Sequence, residues 1–174
     1  MATNREIRIP AASVLALRTT LRDEVGPEAA TLALQKAGHA AGDTIFRRLD
    51  RDESLAETPH ATFWSRLSGL FREMGWGTVE HEDLHAGVGA LTARDWFEID
   101  PSMSTPACPF STGVLSNVLG QLAGRDVAVM VVPCEDDGDR CCRFLFGAGA
   151  VLEQVYGELS EGGELATALD ALGG

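Results

Sequence analysis

The 174-residue sequence has little basic charge and almost no lysine. It carries 14 basic residues against 26 acidic ones, which gives a formal net charge of −12, and Lys36 is its single lysine. Nucleic-acid binding normally needs a basic face, and binding to an anionic membrane needs a basic cluster. The composition therefore predicts that the protein has neither a nucleic acid nor a membrane surface as its partner.

The sequence also lacks a long apolar run. Its longest uncharged stretch, 101–124, contains three prolines and many hydroxyl and amide side chains, so it does not read as a transmembrane helix. The first ten residues, MATNREIRIP, lack the apolar segment of a secretion signal. We therefore expect a cytoplasmic protein, in which four cysteines are more readily thiols or metal ligands than disulfides.

The overall composition is that of an ordinary globular domain, with 45% apolar and 23% charged residues. Apolar periodicity, together with proline and glycine at the ends, predicts helices over about 10–26, 27–50, 58–75, 109–123, 149–157 and 163–172. Alternation and turn residues predict two hairpins, 77–84 with 88–98, and 127–132 with 141–147 around Asp137-Gly138. This order predicts an α+β fold with helices packed on an antiparallel sheet and a small-molecule cavity.

We interpret 1–174 as a single domain, with a helical part at 1–75 and a sheet-containing core at 76–157. Thr58 is the predicted cap of the third helix. Small residues in the second helix indicate close backbone approach, with a ligand-facing wall as the alternative; they are Ala37, Gly38, Ala41 and Gly42. The fourth helix also has a small-residue face, formed by Gly113, Ser116, Asn117 and Gly120.

Residues 108–147 resemble the 4-vinyl reductase domain, a predicted hydrocarbon-binding module. The matching pieces are CPFSTGVLSNVLGQLAG and VAVMVVPCEDDGDRCCRFLFG. The resemblance implies a fold similar to the TRAPP vesicle-tethering subunits, in which an α/β dimer encloses a hydrophobic cavity. It also implies kinship with the sensing domains of phenol and xylene regulators, where three cysteines and a glutamate hold a structural zinc ion.

By that resemblance Cys108, Cys134 and Cys142 are the expected zinc ligands. The glutamate position is Val131 here, so Glu135 or Cys141 would have to supply a fourth ligand. From the residues alone, Cys141 and Cys142 point to opposite faces of a strand, and only one of them can share a face with Cys134. Buried thiols, a thiolate–metal site and a redox disulfide all remain open.

The resemblance places a ligand pocket between the middle helices and the sheet. Core packing is the alternative role for each candidate wall residue, and these are Phe46, Phe63, Trp64, Leu67, Phe71, Trp96 and Phe110. Arg94 and Arg143 are candidate anchors for a polar head group, or else members of surface ion pairs. His81 and His85 project to one side as a candidate metal pair or a solvated hairpin tip, whereas His39 and His60 have no partner pattern.

These features predict a sensor or carrier domain that binds a small hydrophobic or aromatic molecule. We expect it to be a homodimer and to signal through a separate, unidentified partner. One alternative is a reductase or accessory protein acting on a tetrapyrrole vinyl group in bacteriochlorophyll synthesis, and another is a dimeric scaffold without a ligand. The sequence lacks a phosphate loop, a nucleophile elbow and a zinc-protease helix, which argues against an enzyme.

Overall fold

A computed structural model describes residues 7–51, 55, 58–100, 107–134 and 141–173. Within these residues helices and strands alternate in groups. The elements are α1 (Ala11–Val25), α2 (Pro27–Leu49), α3 (His60–Glu73), β1 (Thr78–His85), β2 (Val88–Arg94), α4 (Pro109–Ala123), β3 (Ala128–Val132), β4 (Cys141–Gly147), α5 (Gly149–Ser160) and α6 (Leu165–Asp170), followed by a 3₁₀ turn at Ala171–Gly173.

The four strands form one antiparallel sheet in the order β1-β2-β4-β3. Each predicted hairpin therefore supplies one half of the sheet, and β2 joins the halves by pairing with β4. This confirms the predicted α+β class with an antiparallel sheet. The predicted Asp137-Gly138 turn lies outside the described residues.

Strand β2 ends at Arg94, so its predicted extension to residue 98 is wrong. Asp95 takes a positive φ of 51°, which turns the chain out of the sheet. The Phe97 amide then donates to the Trp76 carbonyl rather than to a strand neighbour. This turn carries the 96–99 segment towards the start of α4, where its side chains join the candidate site.

Strand alternation divides the sheet into two faces. On the inner face Leu91, Ala93 and Phe144 belong to a core shared with α2, α3 and α4. On the outer face Ala90 and Leu145 belong to a second core, to which α5 and α6 contribute. The candidate functional residues lie mainly around the inner core.

Helices α2 and α4 pack at very close range, as their small residues predicted. A Cβ atom added to Gly38 would clash with the Phe110 carbonyl oxygen, and one added to Gly113 would clash with the Gln35 carbonyl oxygen. Each glycine thus lets the backbone of the other helix approach it directly. The alternative of a ligand-facing wall is wrong for Gly38, because the backbone of α4 occupies the space beside it.

Helix α3 begins differently from its prediction. Pro59 is the N-cap residue, and no side chain caps the helix. Thr58 does not cap it, because the helix begins one residue later than predicted; the Thr58 hydroxyl accepts a hydrogen bond from Arg66 at 3.3 Å. The fifth predicted helix extends to Ser160 because Gly157 stays helical.

Among the described helices, none has the combined length and hydropathy that crossing a bilayer requires.

Candidate functional site

The candidate pocket residues all meet in the inner core. Phe63, Leu67 and Phe71 lie on the buried face of α3 and are 0–2% exposed. Phe46 and Phe110 are half-buried and pack against the same core from α2 and α4. The remaining two candidates, Trp64 and Trp96, are also buried members of it. The structure therefore brings together all seven side chains that the sequence singled out.

The rings around Phe71 form one aromatic cluster, whose members are Phe71, Trp76, Trp96, Phe97, Phe110 and Phe144. The rings of Phe63 and Trp64 belong to a second group with His60, His81 and Phe146. Phe71 stacks nearly parallel to Trp76 with ring centres 5.5 Å apart, and it meets Trp96 edge-on at 5.1 Å. Trp96 in turn contacts Phe144 of β4 edge-on at 6.4 Å. Offset and edge-on geometries such as these are favourable for aromatic pairs. The cluster thus presents ring faces and edges from both α3 and the sheet.

A buried carboxylate lies where this cluster meets α4. Glu98 is 1% exposed and accepts hydrogen bonds from the Phe110 and Ser111 amides, both at 2.9 Å. It also accepts one from the Ser111 hydroxyl at 2.6 Å, while Trp96 donates its indole N–H to that hydroxyl oxygen at 2.8 Å. Glu98 therefore satisfies the first amides of α4 that have no intrahelical partner.

Burial raises the pKa of Glu98, although its hydrogen bonds from Ser111 and Phe110 and the charge of Arg18 act in the opposite direction. Sequence reasoning missed Glu98 altogether. An acid between two apolar residues, Phe97 and Ile99, has no local signal that distinguishes a buried cap from a solvated side chain.

Arg18 fastens α1 to the same region. It is 4% exposed and donates to the carbonyl oxygens of Glu98 and Ala107 at 2.9 and 2.8 Å. It also forms an ion pair with Asp100 at 3.0 Å. A single side chain thus connects α1 with the segments on both sides of residues 101–106.

The four cysteines form two disulfide pairs beside the start of α4 and the start of β4, Cys108–Cys142 and Cys134–Cys141. The structure therefore differs from the expectation that they are thiols or metal ligands. Cys141, not Cys142, therefore meets Cys134 across the second hairpin. This agrees with the expectation that only one of the two neighbouring cysteines can share a face with Cys134.

The glutamate expected for a zinc site has no counterpart on the strand. Val131 lies on the inner face, paired with Phe144, and packs against the aromatic core. Glu135 lies outside the described residues. Cys141 bonds to Cys134 and Cys142 bonds to Cys108, and the two neighbouring cysteines project to opposite faces of β4. Structural zinc needs free thiolates from both pairs, so the paired cysteines of the described structure do not present a four-thiolate ligand set.

Arg94 and Arg143 lie on the outer face, away from the aromatic cluster. Arg143 forms an ion pair with Glu82 at 2.8 Å, and Arg94 approaches Glu80 at 3.9 Å. Their alternative role as ion pairs is therefore the correct one. The candidate role as ligand anchors is wrong, because strand alternation directs both side chains towards the α5 side.

Histidines from two distant segments meet at the other end of α3. The His81 ring stacks on Trp64 with centres 4.0 Å apart, and the His60 ring lies 5.1 Å from that of His81. Burial lowers the pKa of His81, while the negative charge of Asp83 opposes that shift. Sequence reasoning assigned no partner to His60. The two histidines meet only because α3 packs on β1, and such a contact leaves no local pattern in the sequence.

Two surface pockets lie outside the aromatic cluster. One, of about 360 Å³, is lined by Arg48, Arg51 and Arg66 among others. The other, of about 220 Å³, lies between α1, α2 and the start of α4. Neither is lined by any of the seven candidate pocket residues.

The helices on an antiparallel sheet place this chain in the α+β class. Its structure is similar to the crystal structure of the phenol-responsive sensory domain of the transcription activator PoxR with phenol. The TM-score is 0.68 and the identity 21%, covering 93% of this chain and 84% of that one. At this identity the likeness shows a shared fold.

A second solved structure, titled for modulation of heme redox potential through porphyrin distortion, has a TM-score of 0.41 and 10% identity. It covers 80% of this chain and all of that chain, and a similarity this low does not indicate a shared fold. A scan against protein-family models finds no match, and no curated protein is similar in sequence.

Proposed function

We propose that this chain is a ligand-binding sensor or carrier domain for a small aromatic or hydrophobic molecule. The observation that carries the proposal is the aromatic cluster around Phe71 and Trp96, which lies between α3 and the inner face of the sheet. It occurs on a fold shared with a sensory domain described as phenol-responsive. The half-buried ring of Phe110, which contacts Trp76 and Phe97, marks where the cluster reaches the surface.

Burial of apolar surface supplies the binding energy in this proposal. A one-ring ligand that hides about 250 Å² would gain about 6 kcal/mol at about 25 cal/mol per Å². Lost translational freedom and the displacement of packed side chains reduce that gain. We therefore expect affinities no tighter than the micromolar range.

We further propose that the protein is a cytoplasmic homodimer related to 4-vinyl reductase domains and that it signals to a separate partner. Exposed apolar side chains on the first two helices support the dimer. Leu17, Val25 and Leu32 are each about half exposed, whereas the inner face of α1 is held by Arg18. Pairing with a second copy would remove those apolar side chains from water.

We also propose a structural zinc ion on Cys108, Cys134 and Cys142, the ligands that the family resemblance implies; its binding requires both cysteine pairs to be reduced. Such an ion would cross-link the start of α4 to β3 and β4 beside the aromatic cluster. When bound, zinc would contribute folding energy and would take no part in a reaction.

Native mass spectrometry of the purified protein, compared with the denatured sample, tests these proposals together. Twice the chain mass would support the dimer, and about 65 Da more per chain would support zinc. Retained mass of a few hundred daltons that is released on denaturation would support an interior ligand. A monomer with oxidised cysteines and no extra mass would contradict the dimer and the zinc site.

Titration with phenol and toluene, followed by tryptophan emission, tests ligand binding directly. The variant Phe71→Trp enlarges a fully buried ring and should weaken binding at least tenfold, and Val114→Ile is a milder filling change. Tyr156→Trp adds an indole at an exposed position of α5 and should leave affinity unchanged. The ligand proposal fails if the wild-type protein shows no saturable binding, and a scaffold then explains the packed core.

A further inference from the structure

The first residue of α3 and the inner face of β1 bring together three metal-binding side chains. His60 begins the helix, and His81 and Asp83 project from the same face of the strand because they are two residues apart. One nitrogen from each histidine and one oxygen from Asp83 all lie within 4.8 Å of one another. This cluster, called the His60 cluster below, is remote in sequence from the cysteines.

The spacing already approaches that of metal ligands. The Nε2 atom of His81 lies 3.4 Å from the Oδ1 atom of Asp83. Ligand atoms about 2.1 Å from a tetrahedral zinc ion are about 3.4 Å apart, so this pair could share an ion without moving. His60 and Asp83 are exposed, and their side chains can therefore adjust while His81 is held against Trp64.

We propose that the His60 cluster binds a divalent ion of the zinc, nickel and copper group. Imidazole nitrogens favour these ions, and one carboxylate completes a three-ligand set that leaves positions for water. An ion pair between His81 and Asp83 accounts for only two members of the cluster. A hydrogen bond from Trp64 holds His60 beside them, so all three side chains are already positioned without an ion.

Binding at this place would alter the surroundings of Trp64. In the absence of metal, Trp64 donates its indole N–H to Nε2 of His60 at 3.1 Å. That nitrogen uses its lone pair as the acceptor, so the other ring nitrogen carries the proton. Coordination through either nitrogen of His60 therefore breaks the bond to Trp64, and tryptophan emission should report it.

The test is equilibrium dialysis against Zn²⁺, with a parallel titration of tryptophan emission by Ni²⁺. The variant His60→Gln/Asp83→Asn removes two exposed ligands and keeps His81 on Trp64. The matched control His39→Gln/Asp126→Asn changes the same residue types at exposed positions elsewhere. Unfolding midpoints of all three proteins verify that the exposed substitutions leave the fold intact.

We expect the wild-type protein and the control to bind one more Zn²⁺ per chain than the cluster variant, or to bind it at least tenfold more tightly. Quenching of tryptophan emission by Ni²⁺ should be weaker in the cluster variant than in the wild-type protein and the control. Zinc held by the cysteines contributes equally to all three proteins, so its presence or absence does not affect the difference. Equal zinc content, affinity and quenching in all three would overturn the proposal.

Discussion

Replacement of Gly113 by alanine tests whether the close contact between α2 and α4 is real. An added Cβ atom would clash with the Gln35 carbonyl oxygen and lie 2.8 Å from the His39 backbone nitrogen. Both obstacles are backbone atoms of a helix, so neither can move aside by changing a rotamer. The two helices would have to separate, and their shared core would lose contacts along its length.

The expected cost follows from two opposing effects. Overpacking of a core costs about 1–3 kcal/mol, and a backbone obstacle puts Gly113→Ala towards the upper end. Alanine recovers about 1 kcal/mol through its higher helix propensity. We therefore expect a net loss of about 1–2 kcal/mol, which corresponds to a fall of about 2–8 °C in Tm for a chain of this size.

Gly69→Ala is the matched control, because Gly69 lies inside α3 and an added Cβ atom there meets nothing within 4 Å. This substitution should stabilise the protein by about 0.5–1 kcal/mol through helix propensity alone. Thermal and urea unfolding, followed by circular dichroism, measure both variants. If Gly113→Ala stabilises the protein as much as Gly69→Ala does, the reasoning about the helix contact is refuted.

Two further predictions concern the buried polar groups beside α4. Burial raises the pKa of Glu98, so the carboxyl group stays protonated to a higher pH in the folded chain than in the unfolded chain. The stability gained from binding this proton is lost as pH rises through the raised pKa. The urea midpoint of the wild-type protein should therefore fall as pH rises above the ordinary glutamate pKa, and this fall should be smaller for Glu98→Gln. Equal pH dependence of the urea midpoint in the two proteins would contradict this reasoning. Arg18→Ala should destabilise by about 2–4 kcal/mol, because it leaves two carbonyl groups and the mostly buried Asp100 without their arginine partner. Replacement of the exposed Arg125 should cost less than about 0.5 kcal/mol, and equal midpoints for the two variants would count against the proposed role of Arg18.

Much of the fold could be predicted from local signals. Helix α2 begins at Pro27 and α4 ends before Gly124, which has a φ of 62°, because both residues restrict the backbone where they stand. The paired strands followed from alternation and glycine-containing turns. Thr58 was mispredicted as a cap because Pro59, one residue later, is the N-cap of α3.

The site was predictable in its apolar part only. Residues such as Phe63 and Phe71 repeat at helical spacing, so their common burial follows from one amphipathic pattern. The cap at Glu98 and the meeting of His60 with His81 carry no such pattern. Each depends on segments more than ten residues apart coming together.

The sequence by itself determined where helices and strands form, which side chains are apolar enough to be buried, and that small residues allow helices to approach closely. These properties depend on backbone preferences and periodicity within one segment. Only the tertiary structure decided that Cys141 meets Cys134, that Arg143 faces away from the aromatic cluster, and that His60 meets His81. Such contacts depend on how segments pack together, and no local preference specifies that arrangement.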